Sequence, residues 1–183
     1  MISNKLQTIA ALVENEAGVL SQIARLFSRK GYNIESLAVG ATHDPKVSRI
    51  TIEVFAEDDR AELLCNQLRK MFCVYSVKIL DPAKSVRREL VLIKVQAPDM
   101  VIRSEILQIA DVFRASIIDV SVDYVTVAVI GEENKVNAIF DLLKQHGIAE
   151  MVRTGVIAIE RGANIISEET KEKGEFDYGK NVL

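Results

Sequence analysis

At 183 residues, with 49% apolar and 27% charged residues and a net charge of −3, the chain has the composition of a soluble globular protein with room for one or two cores. Trp is absent and aromatic residues make up only 5%, which argues against a base-stacking surface, and the acidic balance argues against nucleic acid or anionic membrane as partners. Two cysteines without a CxxC pair, Cys65 and Cys73, read as small buried residues of a reduced, cytoplasmic protein.

The N-terminal stretch MISNKLQTIAALV is too short for a membrane span and lacks a signal-peptide cleavage pattern. Its run Gln7 to Val13 is expected as a first strand. From Gly18 to Lys30, Val19, Leu20, Ile23, Ala24, Leu26 and Phe27 fall on one helical face. Gly31 follows two cations and suits a left-handed helix cap. Tyr32 to Ala41 is strand-like, His43-Asp44-Pro45-Lys46 is a turn signal, and Ser48 to Phe55 alternates as a half-buried strand. A second amphipathic helix, Glu57 to Lys70, and a strand, Val74 to Leu80, complete the order βαββαβ.

After the polar break Asp81-Pro82-Ala83-Lys84-Ser85 the pattern begins again. Strands are expected at Glu89 to Gln96, Ser116 to Ser121, Tyr124 to Ile130 and Ile148 to Ile159. Helical faces are traced by Ile102, Ile106, Ile109, Ala110 and Phe113, and by Val136, Ile139, Phe140 and Leu143. Laid over each other at an offset of 86, the halves bring Leu20, Ile23, Ala24 and Phe27 onto Ile106, Ile109, Ala110 and Phe113, Asn33 onto Asp119, and Ser104 opposite Gly18. The expectation is an α+β protein of two tandem ferredoxin-like units, spanning 1–81 and 82–162, with a polar tail, 163–183, that is mobile or ordered by a partner. Each unit leaves one sheet face without helices, so a homodimer is expected.

The loop Glu14-Asn15-Glu16-Ala17-Gly18 invites two readings. In one, Asn15 is the helix N-cap and Gly18 a turn residue. In the other, the helix N-terminus receives a ligand carboxylate: Gly18 lets it approach the backbone amides, Asn15 offers donor and acceptor, and Ala17, Val19 and Leu20 form an apolar wall. The equivalent loop of the second half, Ala97-Pro98-Asp99-Met100-Val101, has no glycine. Enzyme readings find little support. His43 and His146 read as surface residues without metal-ligand spacing, and there is no GxSxG, P-loop or GxGxxG. Arg87-Arg88-Glu89 reads as an exposed charged edge, and the tail carboxylates Glu168, Glu169, Glu172 and Glu175 as solvated.

The stretch ENEAGVLSQIARLFSRKGYNIESLAVG resembles the signature of an ACT domain, and more narrowly that of the small, regulatory subunits of acetolactate (acetohydroxyacid) synthase. THDPKVSRITI, RRELVLIKV, VFRASIIDVSVD and VRTGVIAIERG carry the same resemblance, which runs to Gly162. It implies a chain with no active site and no cofactor of its own. Such a chain activates a large catalytic subunit, which holds thiamine diphosphate, Mg²⁺ and FAD, and makes it sensitive to a branched-chain amino acid, usually valine. It also implies an effector site where the first domains of two chains meet. Asn15 and Gly18 would hold the amino acid's polar groups, with Ala17, Val19 and Leu20 beside them, and Asn33 and Ile34 would come from the neighbouring chain. An ACT-type amino-acid sensor acting on another partner is the alternative. The chain departs from the family pattern at Arg114-Ala115-Ser116 and beyond Gly162.

Overall fold

The computed structural model describes residues 5–166. These form two compact units. The first takes in the chain up to Glu35, Val39–Ser85 and the residues from Glu160, and the second takes in Ser36–Ala38 and Val86–Ile159. The division differs from the expected one in keeping the break at Asp81 to Ser85, and the residues from Glu160 on, with the first unit.

The first half of the chain runs β1 (Lys5–Glu14), α1 (Val19–Arg29), β2 (Ser36–Ala41), β3 (Val47–Ala56), α2 (Asp58–Arg69) and β4 (Val74–Leu80). Its antiparallel sheet has the order β2-β3-β1-β4. Residues opposite each other in antiparallel strands share a face. Ile9 pairs with Ile52 and Ile79, and Ala11 with Ile50 and Val77, which gives one apolar face. The buried Ile23, Phe27, Leu64 and Leu68 of the helices join that core. Cys65 and Cys73 are buried, as expected.

The opposite face mixes polar residues with Ala10, Leu12 and Leu80. Thr8 pairs with Glu53, to which its hydroxyl donates at 3.2 Å, and Ser76 stands opposite Leu12. The segment after Gly162 was expected to be mobile or ordered by a partner, yet as far as Ile166 it packs here, continuing from Glu160 and Arg161. Arg161 N–H donates to Lys84 O, Lys78 Nζ lies 3.2 Å from Glu160 Oε1, and Ser76 Oγ donates to Ile166 O at 2.6 Å. Burial holds the Arg49 guanidinium below its usual pKa, with the Glu160 carboxylate pulling it back up. Ile166, 7% exposed, is the apolar residue that makes the segment settle. The remainder of the expected tail, with its four glutamates, lies outside the described residues.

The second unit runs β5 (Ser85–Gln96), α3 (Met100–Val112), β6 (Ser116–Val120), β7 (Tyr124–Gly131), α4 (Glu133–Leu143), β8 (Ile148–Arg153) and β9 (Ile157–Glu160). Its sheet repeats the order, β6-β7-β5-β8, with β9 paired to β5. Val91, Ile93 and Val95 pack with Val125, Val127, Val129, Ile106 and Ile139. The single closing strand expected over Ile148 to Ile159 is broken at residues 154–156, where Gly155 turns to φ +79°. Glu89 is 4% exposed and pairs with Arg153 at 2.9 Å on a central strand. The charged strand entry is therefore not an exposed edge, because an arginine on the neighbouring strand neutralises the buried carboxylate.

Burial also corrects the register of the repeat. Ile23 and Phe27 of α1 play the parts of Ile106 and Ala110 of α3, an offset of 83, and Ile9, Ala11 and Val13 match Val91, Ile93 and Val95 at 82. The offset of 86 slid the helices by about one turn, which an apolar stripe repeating every three to four residues permits. At this offset Val101, not Ser104, falls opposite Gly18; α3 begins two residues earlier than α1, so the corresponding N-caps are Gly18 and Asp99.

Both first helices of the two units end in a Schellman motif. After α1, Tyr32 N–H donates to Phe27 O and Gly31 N–H to Ser28 O; after α3, Ala115 N–H donates to Ala110 O and Arg114 N–H to Asp111 O. The left-handed position is Gly31 (φ +74°) in one and Arg114 (φ +50°) in the other. A side chain there crowds its own backbone, so Arg114→Gly is expected to raise stability by about 0.5–1 kcal/mol in chemical denaturation. Ile166→Ala is expected to cost about 2 kcal/mol; a midpoint equal to that of the unaltered chain would show that the packed segment contributes nothing.

Candidate functional site: the β1–α1 loop

The β1–β3 ladder closes at Glu14 opposite Val47, and the pairing runs one residue further. Asn15 N–H donates to Lys46 O at 2.8 Å, and Asn15 Nδ2 donates to Pro45 O at 2.9 Å. Asn15 is therefore not the N-cap; its side chain spans to the β2–β3 turn. A carbonyl accepts only, so the atom facing Pro45 O must be the amide nitrogen, and the amide oxygen is turned to the other side. Glu16 and Ala17 follow as exposed residues.

The N-cap of α1 is Gly18, at φ +89° and ψ −14°. This left-handed conformation is the reason for glycine, since a Cβ built there meets no atom within 4 Å. No side chain caps the helix, and its first turn holds no acidic residue. Val19 N–H turns back to Glu16 O at 3.4 Å, and no capping side chain meets the amides that follow at the positive end of the helix dipole. The second unit handles the same place differently. Asp99 caps α3 by accepting from Val101 N–H and Ile102 N–H, both at 2.9 Å. In the second unit a built-in carboxylate occupies the helix end; in the first, no side chain does.

The expected apolar wall is partly corrected. Val19 is 5% exposed and belongs to the core, because it is the first residue of the buried face of α1. Leu20, 41% exposed, and Ala17 remain on the surface beside the loop. Asn33 and Ile34 were expected at the start of a strand, but β2 begins only at Ser36. They lie in the loop that follows the α1 cap, where Asn33 Nδ2 donates to Glu35 Oε1 at 2.7 Å. The part missed by sequence reasoning is the β2–β3 turn as a support for Asn15; the signal was the Asp-Pro pair, read only as a turn.

His43 is exposed, as expected. His146 is not: its side chain is 8% exposed, 3.8 Å from Glu105 Oε2. It lines a groove of about 720 Å³ in the second unit with Gln108, Ile109, Val112 and Phe113. The helix end before Gly147 tucks the ring in. Among the described residues, no group of three or more His, Cys, Asp or Glu side chains is placed to hold a metal ion, and no helix is long and apolar enough to cross a membrane.

Two tandem βαββαβ units, the first with a glycine-opened helix N-terminus, are the architecture of an ACT-type protein. The family model for the "AHAS small subunit-like ACT domain" matches residues 9–76, and that for the "Small subunit of acetolactate synthase" matches residues 88–162. The chain is 46% identical over 163 residues to the acetolactate synthase small subunit of Aquifex aeolicus, covering 89% of this chain and 85% of that one. It is 45% identical over 161 residues to the acetolactate synthase small subunit of Mycobacterium bovis, covering 88% and 95%. The crystal structure of the Thermotoga maritima acetolactate synthase small subunit matches with a TM-score of 0.81 at 36% identity, covering 87% of this chain and 99% of that one. The chain belongs to the acetolactate synthase small-subunit family. It is thus a regulatory, not a catalytic, subunit.

Since a Cβ at Gly18 finds open space, Gly18→Ala tests the backbone alone. It is expected to lower stability by about 1–2 kcal/mol through strain at φ +89°, read by denaturant titration. A variant as stable as the parent would mean that the left-handed turn carries no strain and glycine is there for another reason.

Proposed function

We propose that this chain activates the catalytic subunit of acetolactate synthase and makes it subject to feedback inhibition by a branched-chain amino acid, valine first among them. The observation that carries the reading is the open N-terminus of α1, set against the Asp99-capped helix of the second unit. A valine carboxylate supplies to α1 what Asp99 supplies to α3, and the outward oxygen of Asn15 suits the α-ammonium group. Leu20 and Ala17 offer the side chain a modest apolar surface.

In this reading two chains pair through their first domains, and Asn33 and Ile34 of one approach the loop of the other. An effector gripping both chains favours one mutual setting over another. A difference of about 1–3 kcal/mol between settings gives a 5–150-fold effect on the partner. Thiamine diphosphate, Mg²⁺ and FAD belong to the cytoplasmic catalytic partner, which performs the condensation.

The test is acetolactate formation by the catalytic subunit, with and without this chain, across a valine titration. The expected result is stimulation that valine removes. Gly18→Asp, which places a negative charge where the carboxylate binds, is expected to stimulate as well as the parent yet resist valine at least tenfold. Gly18→Ala in parallel separates that charge from backbone strain. Unchanged valine sensitivity in Gly18→Asp would put the site elsewhere. Valine binding by the chain without any effect on the enzyme would instead favour a sensor acting on another partner.

A further inference from the structure

The β2–β3 turn, residues 42–46, is built more tightly than a connection between two strands requires. Thr42 N–H donates to Val47 O at 2.9 Å, and Val47 N–H donates to Asp44 O at 3.0 Å. The Thr42 hydroxyl accepts from Asp44 N–H at 3.2 Å and donates to Asp44 O at 3.1 Å. Asp44 Oδ1 accepts from Lys46 N–H at 2.9 Å. Asp44 thus uses its side chain to form an Asx turn over Pro45, whose ring fixes one more backbone angle. These bonds occupy the turn's inner donors and acceptors and leave two consecutive carbonyls, Pro45 O and Lys46 O, directed at Asn15.

We infer that this turn is the positioning element of the effector loop: Thr42 and Asp44 hold Pro45 O and Lys46 O so that Asn15 is fixed at both its backbone and its side chain. The inference rests on the effector reading of the loop given above. Neither Thr42 nor Asp44 touches the ligand; both act through Asn15. The benefit is one of order. An exposed loop free to sample many conformations must be immobilised when a ligand binds, at a cost to affinity, whereas a loop held beforehand avoids most of that cost. The turn also sets the polarity of Asn15. With one Nδ2–H committed to Pro45 O, the orientation of the amide is fixed, and its oxygen is held on the side away from the turn, where it can accept from an ammonium group while the second N–H remains a donor.

Thr42→Val keeps the shape of the side chain and removes its hydroxyl, and Asp44→Ala removes the Asx turn; Thr42→Ser is the conservative control. In the full-length chain, valine binding measured by calorimetry is expected to weaken about three- to tenfold in Thr42→Val and Asp44→Ala and to return in Thr42→Ser. Hydrogen exchange of the Asn15 amide, measured without ligand, is expected to accelerate in the first two variants and recover in the third, while exchange in the β1–β3 ladder stays unchanged. Unaltered Asn15 exchange in both variants would overturn the clamp outright. Faster exchange with unaltered valine affinity would overturn its role in the site. If the parent chain itself takes up no valine, the effector reading fails and the positioning role falls with it, and the exchange data alone then report whether the clamp exists.

Discussion

Everything specific to the first unit turns on how its chain leaves β1 and enters α1. The strand pairs as far as Asn15, and α1 begins at Val19, so three residues must reverse the chain onto the apolar face of the sheet. The backbone accomplishes this with a left-handed residue at the helix entrance, Gly18 at φ +89°. A left-handed N-cap without a side chain cannot cap the helix, so the amides after Val19, whose own N–H reaches Glu16 O, have no capping side chain. The uncapped end is thus a by-product of the turn's geometry as much as a feature in its own right. The same topology in the second unit enters its helix through an extended Asp99, which caps the amides itself. One fold, repeated in one chain, therefore contains both the open and the closed version of the same helix terminus.

The fold was largely legible in the sequence because its signals are local. Apolar alternation marked β3, helical stripes marked all four helices, and Gly31 after Arg29-Lys30 announced the cap of α1. Where the reading went astray, the deciding interaction lay far along the chain or was periodic. The repeat slipped from 83 to 86 because an apolar stripe matches itself almost as well one turn away. Glu89 looked exposed because its partner, Arg153, is 64 residues distant. His146 looked exposed because nothing in its neighbourhood announces Glu105 or the packing around the ring.

The candidate site was legible in part, and for an instructive reason. Gly18 stood out because glycine at a helix entrance is a local signal, but its left-handed φ was not foreseen; the left-handed position expected was Gly31, which is borne out. Asn15 was singled out, but its geometry was not legible. An N-cap asparagine and one that donates to Pro45 O, thirty residues on, have the same sequence. Val19 shows the converse: an apolar residue beside a loop fits a ligand wall and a helix core equally well, and only burial separates them.

The claim at the centre of this account is that the first turn of α1 receives an amino acid. The most direct measurement is the backbone amide spectrum of the isotopically labelled chain during a valine titration. The account expects saturable shifts concentrated on Asn15 and on Gly18 to Ser21, with the α3 terminus at Met100 to Ile102 unmoved because Asp99 already occupies it. Shifts that saturate elsewhere while residues 15–21 stay still would contradict it.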